Sequence, residues 1–346
     1  MADLRIGTSG WHYPSGRGTW NGVFYPPPRG RSRAFDELSY YAEHFNTVEL
    51  NSTFYGQPRA EVARGWAART PRGFEFSVKL HQKFTHPSLY AKRLAGALPR
   101  DAGSEALRAI GGASGADLDQ FRKGIEPLAA AGKLGALLAQ FPAGFKDDEA
   151  SRETLAGLLR AFRGYRVAVE LRHRSWSDRV AATLGLLNQF GAAWVQIDEP
   201  KFQCSIRQNF LPNVRGFYYM RLHGRNAAAW WRHDRAEDRY DYLYSSAELK
   251  ALAGTADAVR HLVQKTYLYT NNHFSAKSVA NAVMLKRQLG DPIEGAYPPE
   301  FAARYPETAG IVAASRAERA AAPAPAPAAS RQSDPAGAAA ARRRRR

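Results

Sequence analysis

Val167-Ala-Val-Glu-Leu-Arg-His-Arg-Ser-Trp176 is the stretch whose reading decides the fold. Val167, Val169 and Leu171 alternate with Ala168, Glu170 and Arg172, the two-residue period of a strand with one apolar and one polar face. A helical pattern follows over 177–190, so this is a strand-then-helix unit. Its carboxylate, guanidinium and imidazole (Glu170, Arg172, His173) sit where the strand runs out. In parallel α/β sheets that C-terminal end is where ligands bind.

Working outward, the same unit recurs. Strands are predicted at 4–8, 47–52, 74–80, 135–141, 166–172, 193–198, 217–223 and 266–271, and helices over 59–69, 117–131, 148–162, 177–190, 245–262 and 276–289. Eight strands alternating with helices over roughly 290 residues predict an α/β protein built as a single (β/α)8 TIM barrel. A doubly wound open sheet is the rival, but Gly7-Thr-Ser-Gly10 leads to Trp11 and a long loop, without the G-x-G-x-x-G spacing of that fold's first turn. About fifty residues separate the third and fourth strands, a long insertion for such a connection. Its early part carries His81 and His86 and is placed to cover the strand ends, and its Gly/Ala-rich middle, 103–115, is expected to be mobile.

The 346 residues, 45% of them hydrophobic, suffice for one large core, and a single domain over 1–314 is expected. From Ser315 to Arg346 the chain is Ala/Pro-rich and ends in five arginines, a composition that predicts a disordered basic tail. The tail carries +6 of the net charge of +17, leaving +11 for the body. Such a surface attracts nucleic acid without sequence preference and phosphorylated metabolites equally. No apolar run approaches the ~18 residues of a membrane span, and the first residues open into a strand rather than a secretory h-region. Cys204 is alone, which excludes an intrachain disulfide, fits the cytoplasm, and reads as a buried structural thiol.

In the barrel reading the polar register of each strand points away from the helices. It comprises Glu49 and Asn51; Glu75, Ser77 and Lys79; Gln140; Glu170 and Arg172; Gln196 and Asp198; Arg221 and His223. Charges so deep are tolerated only when paired, so one reading is a structural salt-bridge network, which covers Glu75 and some arginines. The other makes Glu49, Glu170 and Asp198 catalytic carboxylates at strand ends. The aromatic stretches Gly10-Trp-His-Tyr-Pro14 and Trp20–Pro28 read either as a platform for a sugar ring or base, or as a loop burying its own aromatics. Trp230-Trp-Arg232 and Tyr240–Tyr244 read as a stacking surface with anion contacts or as a packed helical insertion.

Taken in order, these segments resemble a known family. Gly7-Thr-Ser-Gly-Trp11, Phe45-Asn-Thr-Val-Glu-Leu-Asn-Ser-Thr-Phe-Tyr55, Phe76-Ser-Val-Lys79, Gln140-Phe-Pro142, Val169-Glu-x-Arg-His-x-Ser-Trp176, Arg221-x-His-Gly-Arg225 and Asn271-Asn-His273 look like the signature of the YecE-like proteins, the domain-of-unknown-function 72 family. The resemblance reaches to about residue 300 and implies a TIM barrel but no reaction. Thr270 stands where an aromatic is expected, and the arginine tail lies outside it.

Two classes of function remain open. In the enzyme reading, of the hydrolase or lyase class, Glu49 or Glu170 serves as acid or base and Asp198 helps to hold the substrate. Asn51, Lys79, Arg172, His173, Arg221, His223 and Asn272, with Trp11 and Tyr55, then bind a small anionic, phosphorylated, sugar-like or nucleic-acid compound. One carboxylate should then have a raised pKa. In the alternative the same basic, aromatic-rich mouth is a non-catalytic nucleic-acid cradle. His173, His223 and His273 beside the carboxylates form a set of metal-ligand types, but no H-x-H, H-E-x-x-H or C-x-x-C pair anchors it, so no metal or cofactor is assigned.

Overall fold

The computed structural model describes residues 3–28, 35–95, 112–208, 211–231 and 235–315. The readings of the tail beyond Ser315 and of 103–111 lie outside the described residues. Each predicted strand segment carries a strand: β1 Asp3–Thr8, β2 Thr47–Leu50, β3 Glu75–Lys79, β4 Leu134–Gln140, β5 Val167–Glu170, β6 Ala193–Trp194, β7 Gln196–Asp198, β8 Phe217–Leu222 and β9 Lys265–Thr270. The sixth segment supplies two of them, divided at Val195.

All pairings among these strands are parallel, in the orders β2-β3-β4-β5-β6 and β1-β9-β8-β7. The chain is therefore an α/β fold whose helices carry it back between strands. The segment 193–198 belongs to both sheets, because β6 pairs with β5 and β7 with β8. At the other side Ser9 bridges Glu49, and the Gly10 N–H donates to the Glu49 carbonyl at 2.8 Å. Gly7 permits that approach: a Cβ there would stand 2.2 Å from the Thr47 carbonyl oxygen.

Caps and packing set the helices. Ser114 and Asp117 form a capping box at the start of Gly115–Ala130, and Ser245 and Glu248 do so for Ser246–Arg260, each cap contributing about 1 kcal/mol. Gly124 lets the first of these lie against Pro58, whose carbonyl a Cβ would meet at 2.2 Å. The insertion after β3 holds this helix together with Gln82–Thr85 and Pro87–Ala95. The helix expected over 177–190 is broken at Arg179, a residue in a non-helical conformation, into Ser175–Asp178 and Val180–Gln189. Among the described residues no helix is long and apolar enough to cross a membrane. Cys204 is exposed, contrary to its reading as a buried thiol, because it lies in the loop after β7 and not in a packed element.

Paired residues of parallel strands point to the same face. Ser9, Glu49 and Ser77 share one face, as do Gln140 with Glu170 and Arg221 with Tyr269. The sixth segment departs from expectation: Ile197 pairs with Arg221 and Asp198 with Leu222, so Gln196 and Asp198 lie on the opposite, apolar face. The polar face instead receives Val195, Ile197 and, one step beyond the strand, Glu199. Alternation misleads here because this strand's inward layer is apolar, whereas Asp198 is tolerated outside by its Arg225 partner.

Candidate functional site

Arg221 organises the C-terminal ends of the strands. Buried to 1% exposure on β8, it donates to Glu49 Oε1 at 2.7 Å, to Glu170 Oε2 at 2.5 Å and to Gln140 Oε1 at 3.2 Å. Glu49 also accepts from Ser9 and from the Tyr219 phenol, each at 2.7 Å. Glu170 further accepts from Arg172 Nε at 2.8 Å, and Arg172 reaches Glu199 at 3.2 Å. Burial alone would raise the Glu170 pKa, but Arg221 and Arg172 outweigh it and hold the carboxyl well below its ordinary range. Glu49 and Glu170 thus share Arg221, as carboxylates committed to arginines.

His223 completes the layer. Asn271 Nδ2 lies 2.9 Å from its Nδ1, and on the other side its Nε2 lies 3.2 Å from Arg172 Nη2 and 3.3 Å from Glu170. Burial pushes its pKa down to about 3, so the ring is neutral. The raised carboxyl belongs to Glu199, through burial and the negative charge of Glu170, against the pull of Arg172.

Above this layer opens a cavity of about 520 Å3. Its floor comes from strand ends: Gly10, Asn51, Lys79, Gln140, Arg221 and Asn271 all line it. Lys79 is the unmatched group. Its Nζ lies 4.3 Å from the centre of the Phe54 ring, and no hydrogen bond or ion pair joins it to any described residue. Burial first, and then the nearby Arg221 and Arg172 charges, push its pKa down to about 7 against the pull of Glu170 and Glu49. Asn51 Oδ1 is likewise buried without a donor.

The walls are aromatic. Trp11, Tyr13, Tyr55 and Tyr240 line the cavity, Tyr55 with 65% exposure at the rim. His273 stacks on Tyr13 at 4.4 Å between centroids. It precedes Ser275 and Ala276, whose φ values of 55° and 63° are left-handed, a strained pair held by the Tyr305 phenol donating to the Ser275 carbonyl and by Ser275 N–H donating to Gly18 at 3.0 Å. The first aromatic loop answers to both of its readings. Trp20, Phe24 and Tyr25 are fully buried, while Trp11 and Tyr13 face the cavity.

Three expected site residues stand elsewhere. Asp198 is held by Arg225 through Nε at 2.7 Å and Nη2 at 2.7 Å, apart from the Glu49–Arg221–Glu170 layer. Asn272 is turned away, donating to the Tyr242 carbonyl and to Asn281; Asn271 takes the inward place, on the register of Tyr267 and Tyr269. His173 hydrogen-bonds Ser175 at 2.8 Å and is absent from the cavity lining. Glu199, Asn271 and Tyr219 belong to the site without being among its expected residues. Counting in twos from Arg221 would have found Tyr219, and counting from Tyr269 would have found Asn271. Nothing in the alternation marks Glu199. The three histidines of the possible metal set have different partners, and among the described residues no group of three His, Cys, Asp or Glu side chains is arranged to hold a metal ion.

The family model described as "Protein of unknown function DUF72" matches residues 5–304. The UPF0759 protein YunF of Bacillus subtilis is 25% identical over 306 residues, 85% of this chain and 98% of its own length. The crystal structure of a DUF72 family protein from Thermotoga maritima superposes with a TM-score of 0.68 at 32% identity, covering 84% of this chain and all of that one. A DUF72 family protein from Enterococcus faecalis superposes at 0.67 with 22% identity, over 84% and 97% of the two chains.

Proposed function

The chain belongs to the family of proteins of unknown function DUF72, and from that premise we propose that it is an enzyme of the lyase or hydrolase class acting on a small anionic, phosphorylated or sugar-like compound. The proposed scaffold is one closed (β/α)8 barrel. It is supported by the all-parallel pairing, by the segment 193–198 shared between the two sheets and by the Ser9–Glu49 bridge between β1 and β2. The cavity then sits at the barrel's C-terminal mouth, where such folds place their chemistry. Its volume suits one compound of about nucleotide size better than a strand of nucleic acid.

The observation that carries the reading is the floor of that cavity: Lys79 and Asn51 Oδ1 are left unmatched while the carboxylates beneath are committed to arginines. A ligand's anionic group would meet Lys79 beside Arg221, its hydroxyls Asn51, Gln140 and Asn271, and its ring the Trp11 and Tyr55 walls. Glu49 and Glu170 are positioning residues that fix Arg221 and Arg172.

A screen of phosphorylated sugars, glycosides and short single-stranded oligonucleotides tests this, with wild type beside Lys79→Met and Glu49→Gln. Expected is turnover of one class of small compound, abolished in Lys79→Met while that variant keeps its fold. Retention of oligonucleotides with no turnover of any compound would select the nucleic-acid cradle, which the +11 charge of the body favours. Turnover that survives Lys79→Met would remove the reading.

A further inference from the structure

Resting on the enzyme reading, we propose that Lys79 is an amine nucleophile that forms an imine with the carbonyl group of an aldehyde or ketone bearing an anionic substituent. The reaction needs an amine that is accessible, uncommitted and able to lose its proton, next to a cation that holds the substrate's charge. Lys79 lines the cavity, and no described hydrogen bond or ion pair occupies its Nζ. Other lysines in buried or half-buried settings are engaged. Lys133 donates to the Ala67 and Thr70 carbonyls at 2.7 and 2.6 Å, Lys83 pairs with Asp117 at 2.9 Å, and Lys265 and Lys277 pair with Glu75 and Asp241. Lysine is readily depressed in such a setting, and at a pKa of about 7 roughly half of the side chains are free amine at neutral pH.

The surroundings suit the step. Facing Lys79 are Arg221 on β8, Glu170 and Arg172 at the end of β5, Glu49 on β2 and His86 after the helix Gln82–Thr85. The carboxylates are tied to the arginines, so none is free to pair with the lysine. The Nζ lone pair forms a bond to the carbonyl carbon and the carbon–oxygen double bond is lost. Both amine hydrogens leave with the carbonyl oxygen as water, and no oxidant or reductant is involved. Once protonated, the imine draws electrons from an adjacent C–C or C–H bond, which is lyase chemistry.

The test is trapping by borohydride at pH 7 with dihydroxyacetone phosphate, ribose 5-phosphate and pyruvate as probes, followed by mass mapping of lysine peptides. Expected is a reduced adduct on Lys79 at least tenfold above any other lysine, rising with pH about a midpoint near 7 and absent from Lys79→Arg and Lys79→Met. A parallel thermal-shift titration with the same probes separates the failures. Stabilisation by a probe without any Lys79 adduct overturns the imine and leaves the enzyme reading standing. Neither stabilisation nor adduct, or labelling spread over lysines in proportion to exposure, overturns the inference and counts against the pocket itself.

Discussion

The polar face carries two ionic layers, and they differ in what each leaves over. At the N-terminal ends of the strands Asp3 and Glu75 meet Arg5 and Lys265: Arg5 Nη2 and Lys265 Nζ each lie 2.9 Å from Asp3, Lys265 contacts Glu75, and the Tyr267 phenol donates to Glu75 at 2.7 Å. Each charge there has an opposite partner. At the C-terminal ends Glu49, Glu170 and Glu199 face Arg172, Arg221 and Lys79, yet Lys79 pairs with none of them and a cavity opens above it. A buried carboxylate–arginine network is therefore no mark of chemistry by itself. The mark is the unmatched group beside a cavity.

The largest effect should come from removing the bridge of the upper layer. Arg221→Met leaves two buried carboxylates without their shared cation, at about 3–5 kcal/mol in urea denaturation. Lys265→Met should cost less, about 1–3 kcal/mol, because Arg5 still serves Asp3 and Tyr267 still serves Glu75. Equal losses would erase the distinction between the layers. Within the upper layer, Arg172→Met and Glu170→Gln should couple by about 1–3 kcal/mol in a double-mutant cycle, and strict additivity would show their contact to be energetically idle.

Acid titration sharpens the comparison next. The depressed Glu170 contributes stability that is present above the ordinary carboxylate range and is lost as pH falls through its folded value. His223, at about 3 when folded against ~6.5 when free, works in the same direction, since the unfolded chain takes its proton first. Stability should thus fall between pH 6.5 and 3 by about 1.4 kcal/mol per unit for that one proton. His223→Gln should remove this part of the slope, measured as melting temperature against pH.

The effect of opposite sign, a gain in stability, is the most diagnostic. With a folded pKa of about 7, below its free value, charged Lys79 is penalised by burial below pH 7, and the penalty fades as pH rises towards ~10.4. Lys79→Met should therefore melt above wild type at pH 6, with the gap closing near pH 10. A variant that melts lower at pH 6 would mean that Lys79 has a stabilising partner after all.

Much of this was legible from local pattern. Alternation in Val167–Arg172 and in Thr47–Asn51 located strands and their polar registers, because a strand's two faces meet different surroundings. The same logic put Glu49, Glu170, Arg221 and His223 on one face before any pairing was known. It failed at 193–198, where the inward positions are Val195 and Ile197 and polar Asp198 faces outward, because polarity reports an environment and not a direction. It failed again at Asn271 and Asn272, two identical side chains of opposite facing.

The sequence by itself determined the parallel α/β plan, the family resemblance and the charged strand ends, since each is written in spacings of a few residues. Only the tertiary structure decided who pairs with whom. Arg221 and Glu49 are 172 residues apart, Tyr267 and Glu75 192 apart, and no local period carries such a distance. That pairing turned the expected acid and base into partners of arginine and left Lys79 as the group without one, because a buried charge is defined by what the fold brings beside it.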